Sequence, residues 1–158
     1  MTETPRRPSL RTRLAGGLIE RVGLLRRAMT LGVRAAVIDS QGRVLLVRHT
    51  YVAGWYLPGG GVERGEAAVD ALARELLEEG GVTLTAPPQL RSLHHNRGRD
   101  HVAFYVARAF AQAAPKQPDW EIAEAGFFAP HALPEGATPA TRARLAEVFD
   151  GAEVTAKW

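Results

Sequence analysis

Residues 59–82 read Gly59-Gly60-Gly61-Val62-Glu63-Arg64-Gly65-Glu66-Ala67-Ala68-Val69-Asp70-Ala71-Leu72-Ala73-Arg74-Glu75-Leu76-Leu77-Glu78-Glu79-Gly80-Gly81-Val82. The part from Glu66 to Glu79 predicts a helix. Val69, Leu72, Ala73, Leu76 and Leu77 recur at helical spacing, and Gly80-Gly81 stops it. Glu75, Glu78 and Glu79 stand at i, i+3 and i+4, so their carboxylates share one face. Like charges crowded this way weaken a helix. Either that face meets only solvent, or a cation neutralises it. Hard oxygen donors without histidine or cysteine at helical spacing favour Mg²⁺ or Mn²⁺ over zinc. The glycines Gly59-Gly60-Gly61 let the backbone approach the same volume. Metal-assisted phosphoryl chemistry and a solvated acidic face both fit this spacing, and the spacing alone does not choose.

Upstream, Leu31–Asp39 alternates as a strand with Leu31, Val33, Ala35 and Val37 on one side. The turn residues Ser40-Gln41-Gly42 lead into a second strand, Arg43–His49, and a hairpin is expected. Tyr51–Gly61 reads as a loop containing a short extended piece, Trp55–Leu57, before Pro58. Downstream, extended segments are expected at Gln89–His95 and His101–Phe110, around the polar loop Asn96-Arg97-Gly98-Arg99-Asp100. A last strand is expected at Gly126–Ala129. Thr138-Pro139 supplies an N-cap with proline at the first helical position, opening a final helix that runs to Asp150 before Gly151. The pattern describes one α+β domain, a mixed sheet with a helix packed on each side.

The chain has 158 residues, enough for one well-packed domain; 46% are hydrophobic and 23% charged, which excludes a disordered chain. There is no cysteine, so disulfides, thiolate metal sites and a cysteine nucleophile are excluded, and a cytoplasmic setting fits. No apolar run is long enough to cross a bilayer. Residues 1–34 carry eight arginines against two glutamates, while the rest holds 12 Lys or Arg against 15 Asp or Glu. The basic balance therefore belongs to an N-terminal extension, residues 1–30, and not to the domain at 31–158. Nucleic acid is accordingly disfavoured as a partner. Within the extension, Met1–Ser9 reads as a disordered lead. Leu10–Ala28 reads as a modest helix that docks on its own domain, on a second copy in a homodimer, or on a membrane surface. The short apolar stretch Leu14–Ile19, ended by Glu20, argues against a cleaved signal peptide.

The wider pattern Gly60-x5-Glu66-x7-Arg74-Glu75-Leu76-x-Glu78-Glu79-x-Gly81-Val82 resembles the signature box of the Nudix hydrolases at every defined position. A chance match in a chain this long has odds on the order of 10⁻⁷. Trp55-Tyr56-Leu57-Pro58 before the box and Glu124-Ala125-Gly126-Phe127-Phe128 after it are similar to the family as well, over roughly residues 31–150. The resemblance implies an α/β/α sandwich and water attack on the pyrophosphate of a nucleoside diphosphate linked to a moiety X, with Mg²⁺ or Mn²⁺ as cofactor. It further implies Glu75, Glu78, Glu79 and the Gly59 carbonyl as metal ligands, with Glu75 an alternative general base. Arg74 would orient the glutamates. Glu66 would be structural or outer-shell, and Gly60 and Gly81 would serve backbone geometry. Glu121 or Glu124 would supply a ligand or base from outside the box.

The substrate is less legible. Arg34 and Arg48 on the first two strands, Arg97, Arg99 and His101 around the polar loop, and Tyr51 before the glycines are candidate substrate contacts. Each has an ordinary alternative as a solvated or packing residue. Trp55 reads as core. His94 and His95 point to opposite faces of their strand, so at most one faces a cleft. Positions 97–99 lack the proline of ADP-ribose hydrolases and the tyrosine of diadenosine polyphosphate hydrolases. The coenzyme A pattern is missing, and so is the cysteine of isopentenyl-diphosphate isomerases. Three readings stand in order: a pyrophosphohydrolase of an NTP, a nucleotide sugar or a similar small nucleotide; a non-catalytic nucleotide-binding regulatory module; and a hydrolase acting on RNA 5′ ends.

Overall fold

The computed structural model describes residues 28–158. The lead expected at Met1–Ser9 and the helix expected at Leu10–Ala28, apart from its last residue, lie outside the described residues. The elements are β1 (Thr30–Val37), β2 (Val44–His49), α1 (Ala68–Gly80), β3 (Thr83–Leu84), β4 (Gln89–His95), β5 (Asp100–Ala107), β6 (Phe110–Ala111), β7 (Ile122–Phe128) and α2 (Pro139–Phe149). They form an α/β/α sandwich whose β layer has three hydrogen-bonded pieces. β1 runs parallel to β5, and β4 antiparallel to it, in the order β1-β5-β4. β2 pairs with β7, and β3 with β6.

Strand alternation sorts the apolar residues into two cores, one on each side of this layer. Val33, Ala35 and Val37 of β1, Leu45 of β2 and Ala103 and Tyr105 of β5 pack with Ala71, Leu72 and Leu76 of α1. Ala36, Leu46, Phe104 and Val106 face the other way, against Leu145 of α2, Trp55 and Leu57. Burying each of these leucines stabilises the fold by about 1.5–3 kcal/mol. β1 is thus covered on both faces, as a central strand should be.

The expected hairpin forms only as a turn. Asp39 accepts the amides of Gln41 (3.0 Å) and Arg43 (2.8 Å), and a single bridge joins Ile38 to Val44. Beyond it β1 and β2 part into different pieces of the layer, because the segment at residues 55–62 occupies their facing edges. Tyr56 exchanges both backbone hydrogen bonds with Val47 on β2. Pro58 and Gly60 then accept from Ala35 and Val33 on β1, and Val62 donates to Leu31. The glycines of the box are therefore laced to the central strand.

Several boundaries differ from expectation, and three of the shifts have a clear physical cause. α1 begins at Ala68 because Glu66 is spent in the preceding turn, where its carboxylate accepts from Glu63 N–H at 3.0 Å. Its buried face is also rotated. Ala71, Leu72, Leu76, Glu79 and Gly80 are inside, while Val69 and Leu77 are exposed. The strand expected to reach Phe110 breaks after Ala107, and Phe110-Ala111 pair instead with Thr83-Leu84. β7 starts at Ile122, four residues before expectation, since pairing with β2 supplies what its small residues lack in propensity. α2 starts as expected, with Thr138 accepting from Thr141 N–H.

Candidate functional site

The rotation of α1 turns one box glutamate inward. Glu79 is 4% exposed, and its Oε2 accepts the Gly59 amide at 2.8 Å. Arg34 Nη1, which also donates to Leu57 O at 3.0 Å, lies 4.0 Å from the same oxygen. His49 Nε2 is 3.5 Å from Oε1. Burial pushes the Glu79 carboxyl up to about 7 against the pull of Arg34 and the Gly59 amide, with Glu75 and Glu121 adding repulsion. Burial also holds His49 below the usual imidazole range, with Arg34 acting in the same direction.

Ligand-competent atoms of His49, Glu79 and Glu121 all lie within 4.8 Å of one another. These three come from β2, α1 and the residue just before β7. A register shift at Arg48/His49 sets that meeting, pairing Glu124 with Arg48 and Ile122 with His49. Of the two glutamates expected outside the box, the fold brings Glu121 to the cluster. It sends Glu124 to an exposed ion pair with Arg48 at 3.0 Å. His49 was not singled out in the sequence. Its one visible signal was a histidine at the end of an otherwise apolar strand.

Arg74 organises the rest of the acidic face. Its guanidinium takes both oxygens of Glu66 (3.1 and 3.2 Å), Glu75 Oε1 (2.8 Å), Glu78 Oε2 (3.3 Å) and the Gly61 carbonyl (3.2 Å). The planar fork of arginine suits such shared carboxylate contacts. Glu66 hydrogen-bonded this way stays below the usual carboxylate range, while Arg74 is raised above its own. Two glycines allow the close approach. A Cβ on Gly60 would collide with the Glu75 carboxylate. A Cβ on Gly59 (φ +136°) would collide with the Val33 carbonyl. Gly81 (φ +64°) caps α1 in the left-handed region. Gly59 meets Glu79 through its amide.

The remaining candidates divide. Tyr51 is largely exposed beside the cluster, its ring 5.2 Å from that of His49, and partial desolvation of its hydroxyl with the nearby Glu121 and Glu79 raises its pKa. Arg34 and Arg97 line a cleft of ≈ 450 Å³ that also touches Tyr56, Asn96, Thr138 and Trp158. Arg48 lies over Trp55 (5.8 Å to its centroid) and is not brought to the cluster. Arg99 meets β1 through its carbonyl, which accepts from Thr30 N–H. His101 pairs in register with Leu31, its ring 5.4 Å from His95 and its Nδ1 buried without a hydrogen bond. His94 is fully buried and His95 exposed, as opposite faces require. Among the described residues no helix is long and apolar enough to cross a membrane.

Comparison with known proteins adds to this geometry. A family model described as the NUDIX domain matches residues 29–149. A MutT-like protein of Streptomyces ambofaciens is 28% identical, the match covering 78% of this chain and 79% of that protein. The 8-oxo-dGDP phosphatase NUDT18 of Mus musculus is 33% identical over 70% of this chain, which spans only 35% of that relative's length. Among solved structures, the MutT NUDIX hydrolase from Burkholderia pseudomallei superposes with a TM-score of 0.67 at 30% identity. That match covers 77% of this chain and 99% of the other.

Proposed function

The chain belongs to the Nudix family, and from that premise we propose that it is a divalent-metal-dependent pyrophosphohydrolase of small nucleoside diphosphate derivatives. The observation that carries the proposal is Glu79. A carboxylate buried on a helix face, beside Glu121 and with Arg34 no nearer than 4.0 Å, is short of positive charge. A hard divalent cation fits that deficit and the carboxylate-rich donor set. Glu79 and Glu121 would hold it, with Glu75 close enough to repel Glu79 and Glu78 on the same helix, held by Arg74. When bound, such an ion neutralises phosphate oxygens and activates water at neutral pH.

The chain's own residues supply the rest. Arg74 fixes the carboxylates of Glu66, Glu75 and Glu78 through one planar group, so that none has to reorganise during turnover. Arg34, beside Glu79 and lining the cleft, is placed to take a phosphate oxygen of the substrate. Water attacks phosphorus, and the bond to the leaving phosphate breaks in line. Glu75 and Glu121 are half-buried and close enough to Glu79 to repel it, and we assign the water's proton to one of them. pH–rate profiles of Glu75→Gln and Glu121→Gln separate the two, because only loss of the base removes the acidic limb. We place the hydrolase domain from β1 onward, which moves its expected start from residue 31 to Thr30, with the residues before it as an extension.

A Mg²⁺-dependent hydrolysis screen tests the reading. It covers nucleoside triphosphates, 8-oxo-dGDP, UDP-linked sugars, dinucleotides and triphosphorylated RNA, with Glu79→Gln as blank. Turnover of one class, with phosphate or a nucleoside monophosphate released, is the expected result. Silence across the panel from folded protein that still binds nucleotide would favour the regulatory module instead.

A further inference from the structure

The cleft beside the acidic cluster is walled by a residue remote from it in sequence. After α2 the chain turns at Gly151 and runs back along β4. There His95 N–H donates to Ala156 O (2.8 Å) and Trp158 N–H donates to His95 O (3.0 Å). Polar side chains buried beneath this tail hold it. Arg144 of α2, 1% exposed, pairs with Glu147 Oε1 at 2.6 Å and donates to Lys157 O (3.1 Å) and Thr155 Oγ1 (3.0 Å). His94 Nδ1 meets Thr155 O at 2.8 Å. The indole of Trp158 is fixed on three sides: Arg144 lies 5.5 Å from its centroid, the His94 ring 5.5 Å away and the Phe104 ring 6.1 Å away. Trp158 also lines the cleft together with Arg34, Tyr56, Asn96 and Thr138. A well-packed apolar cluster would anchor a tail as firmly as a buried ion pair, so anchoring alone does not account for the pair.

We propose that Trp158 is a specificity-determining contact of the substrate, its indole receiving the nucleobase, and that Arg144, Glu147 and His94 are positioning residues for that indole. The assignment rests on the reading above, in which the diphosphate lies at the Glu79 cluster. Arg34 joins the two regions, since its guanidinium reaches Glu79 while its side chain lines the cleft. A group attached to that diphosphate and directed along Arg34 enters the cleft. A flat, half-buried indole at its wall matches a planar heterocycle better than a sugar.

The test compares Trp158→Ala, Trp158→Phe and the double variant Arg144→Met/Glu147→Met, which removes the pair without orphaning a charge. Kinetics on the nucleotide turned over best are joined to calorimetric binding of AMP, GMP, CMP and UMP, with ribose 5-phosphate as the base-free control. Trp158→Ala is expected to raise KM, and weaken the preferred monophosphate, by about 10-fold, within the range of base–aromatic stacking. Ribose 5-phosphate binding should stay within about 2-fold. Trp158→Phe should recover most of the loss, and the double variant should move KM in the same direction while remaining folded. Unchanged KM and monophosphate affinity in folded Trp158→Ala would overturn the proposal, and so would equal loss of monophosphate and ribose 5-phosphate. Base-dependent loss of binding in Trp158→Ala, with a wild type that hydrolyses no nucleotide, would keep the Trp158 assignment and remove the hydrolase reading. Neither turnover nor binding of any nucleotide would remove both.

Discussion

Replacing Glu79 by glutamine in metal-free protein should stabilise the fold, although it removes a residue assigned to the site. Burial holds the Glu79 carboxyl at about 7, against 4.5 for an ordinary glutamate. Each unit of that difference corresponds to about 1.36 kcal/mol, so ionising Glu79 costs the folded state about 3 kcal/mol once pH exceeds 7. The sign follows from proton binding. Between 4.5 and 7 the folded protein holds a proton that the unfolded chain has released, so stability falls as pH rises through this window and is flat above it. Glutamine keeps an oxygen to accept the Gly59 amide and carries no charge to bury. In EDTA at pH 8, Glu79→Gln should therefore exceed the wild type by about 3 kcal/mol, roughly 6–12 °C in Tm for a chain of this size. At pH 4 the two should coincide. His94, lowered by burial and by Arg144, adds an opposite slope below its ordinary value of 6.5 that the two proteins share. Urea unfolding at pH 4, 6 and 8, with EDTA or with saturating Mg²⁺, measures this directly. Mg²⁺ should stabilise the wild type by about 2.7 kcal/mol at a hundredfold excess over Kd and leave Glu79→Gln nearly unmoved. Parallel pH profiles of the two proteins in EDTA, or a glutamine variant less stable at pH 8, would refute the reasoning.

Gly60→Ala should fold but lose at least about 100-fold in kcat, because the new methyl displaces the Glu75 carboxylate; steady-state kinetics beside circular dichroism decides. Arg74→Lys keeps one charge but cannot hold Glu66, Glu75, Glu78 and the Gly61 carbonyl together. Activity should fall about 10- to 100-fold, with Mg²⁺ affinity reduced in a calorimetric titration. Glu121→Gln should weaken Mg²⁺ binding about 10-fold or more, whereas Glu124→Gln, which loses only an exposed pair with Arg48, should stay within about 2-fold.

Much of this protein is local. Helix α1, its glycine stop, the capped start of α2 and the strand at Gln89–His95 follow from spacing and cap chemistry within a few residues. The shared face of Glu75, Glu78 and Glu79 follows from helical geometry alone. Arg74 was legible as an organiser, but its bidentate hold on Glu66 required the turn that ends before Ala68. The apolar positions of α1 allowed more than one inward face. Leu45, which a Cβ on Gly80 would strike, packs close against the helix at that point. The inward face is therefore centred on Leu72 and Leu76, and Glu79 is carried in with it.

What the sequence determined by itself is the acidic helix, the glycine approach and the α+β character, because each depends on neighbours one to four residues apart. What pairs with each edge of β1, which of Glu121 and Glu124 joins Glu79, and that His49 stands beside them depended on strand partners and one register shift between Arg48 and His49. Trp158 reaches its cleft only through a tail hydrogen-bonded to His95 and held by Arg144. Those arrangements minimise exposed apolar surface and unpaired polar groups over the whole chain, and no local window contains that sum.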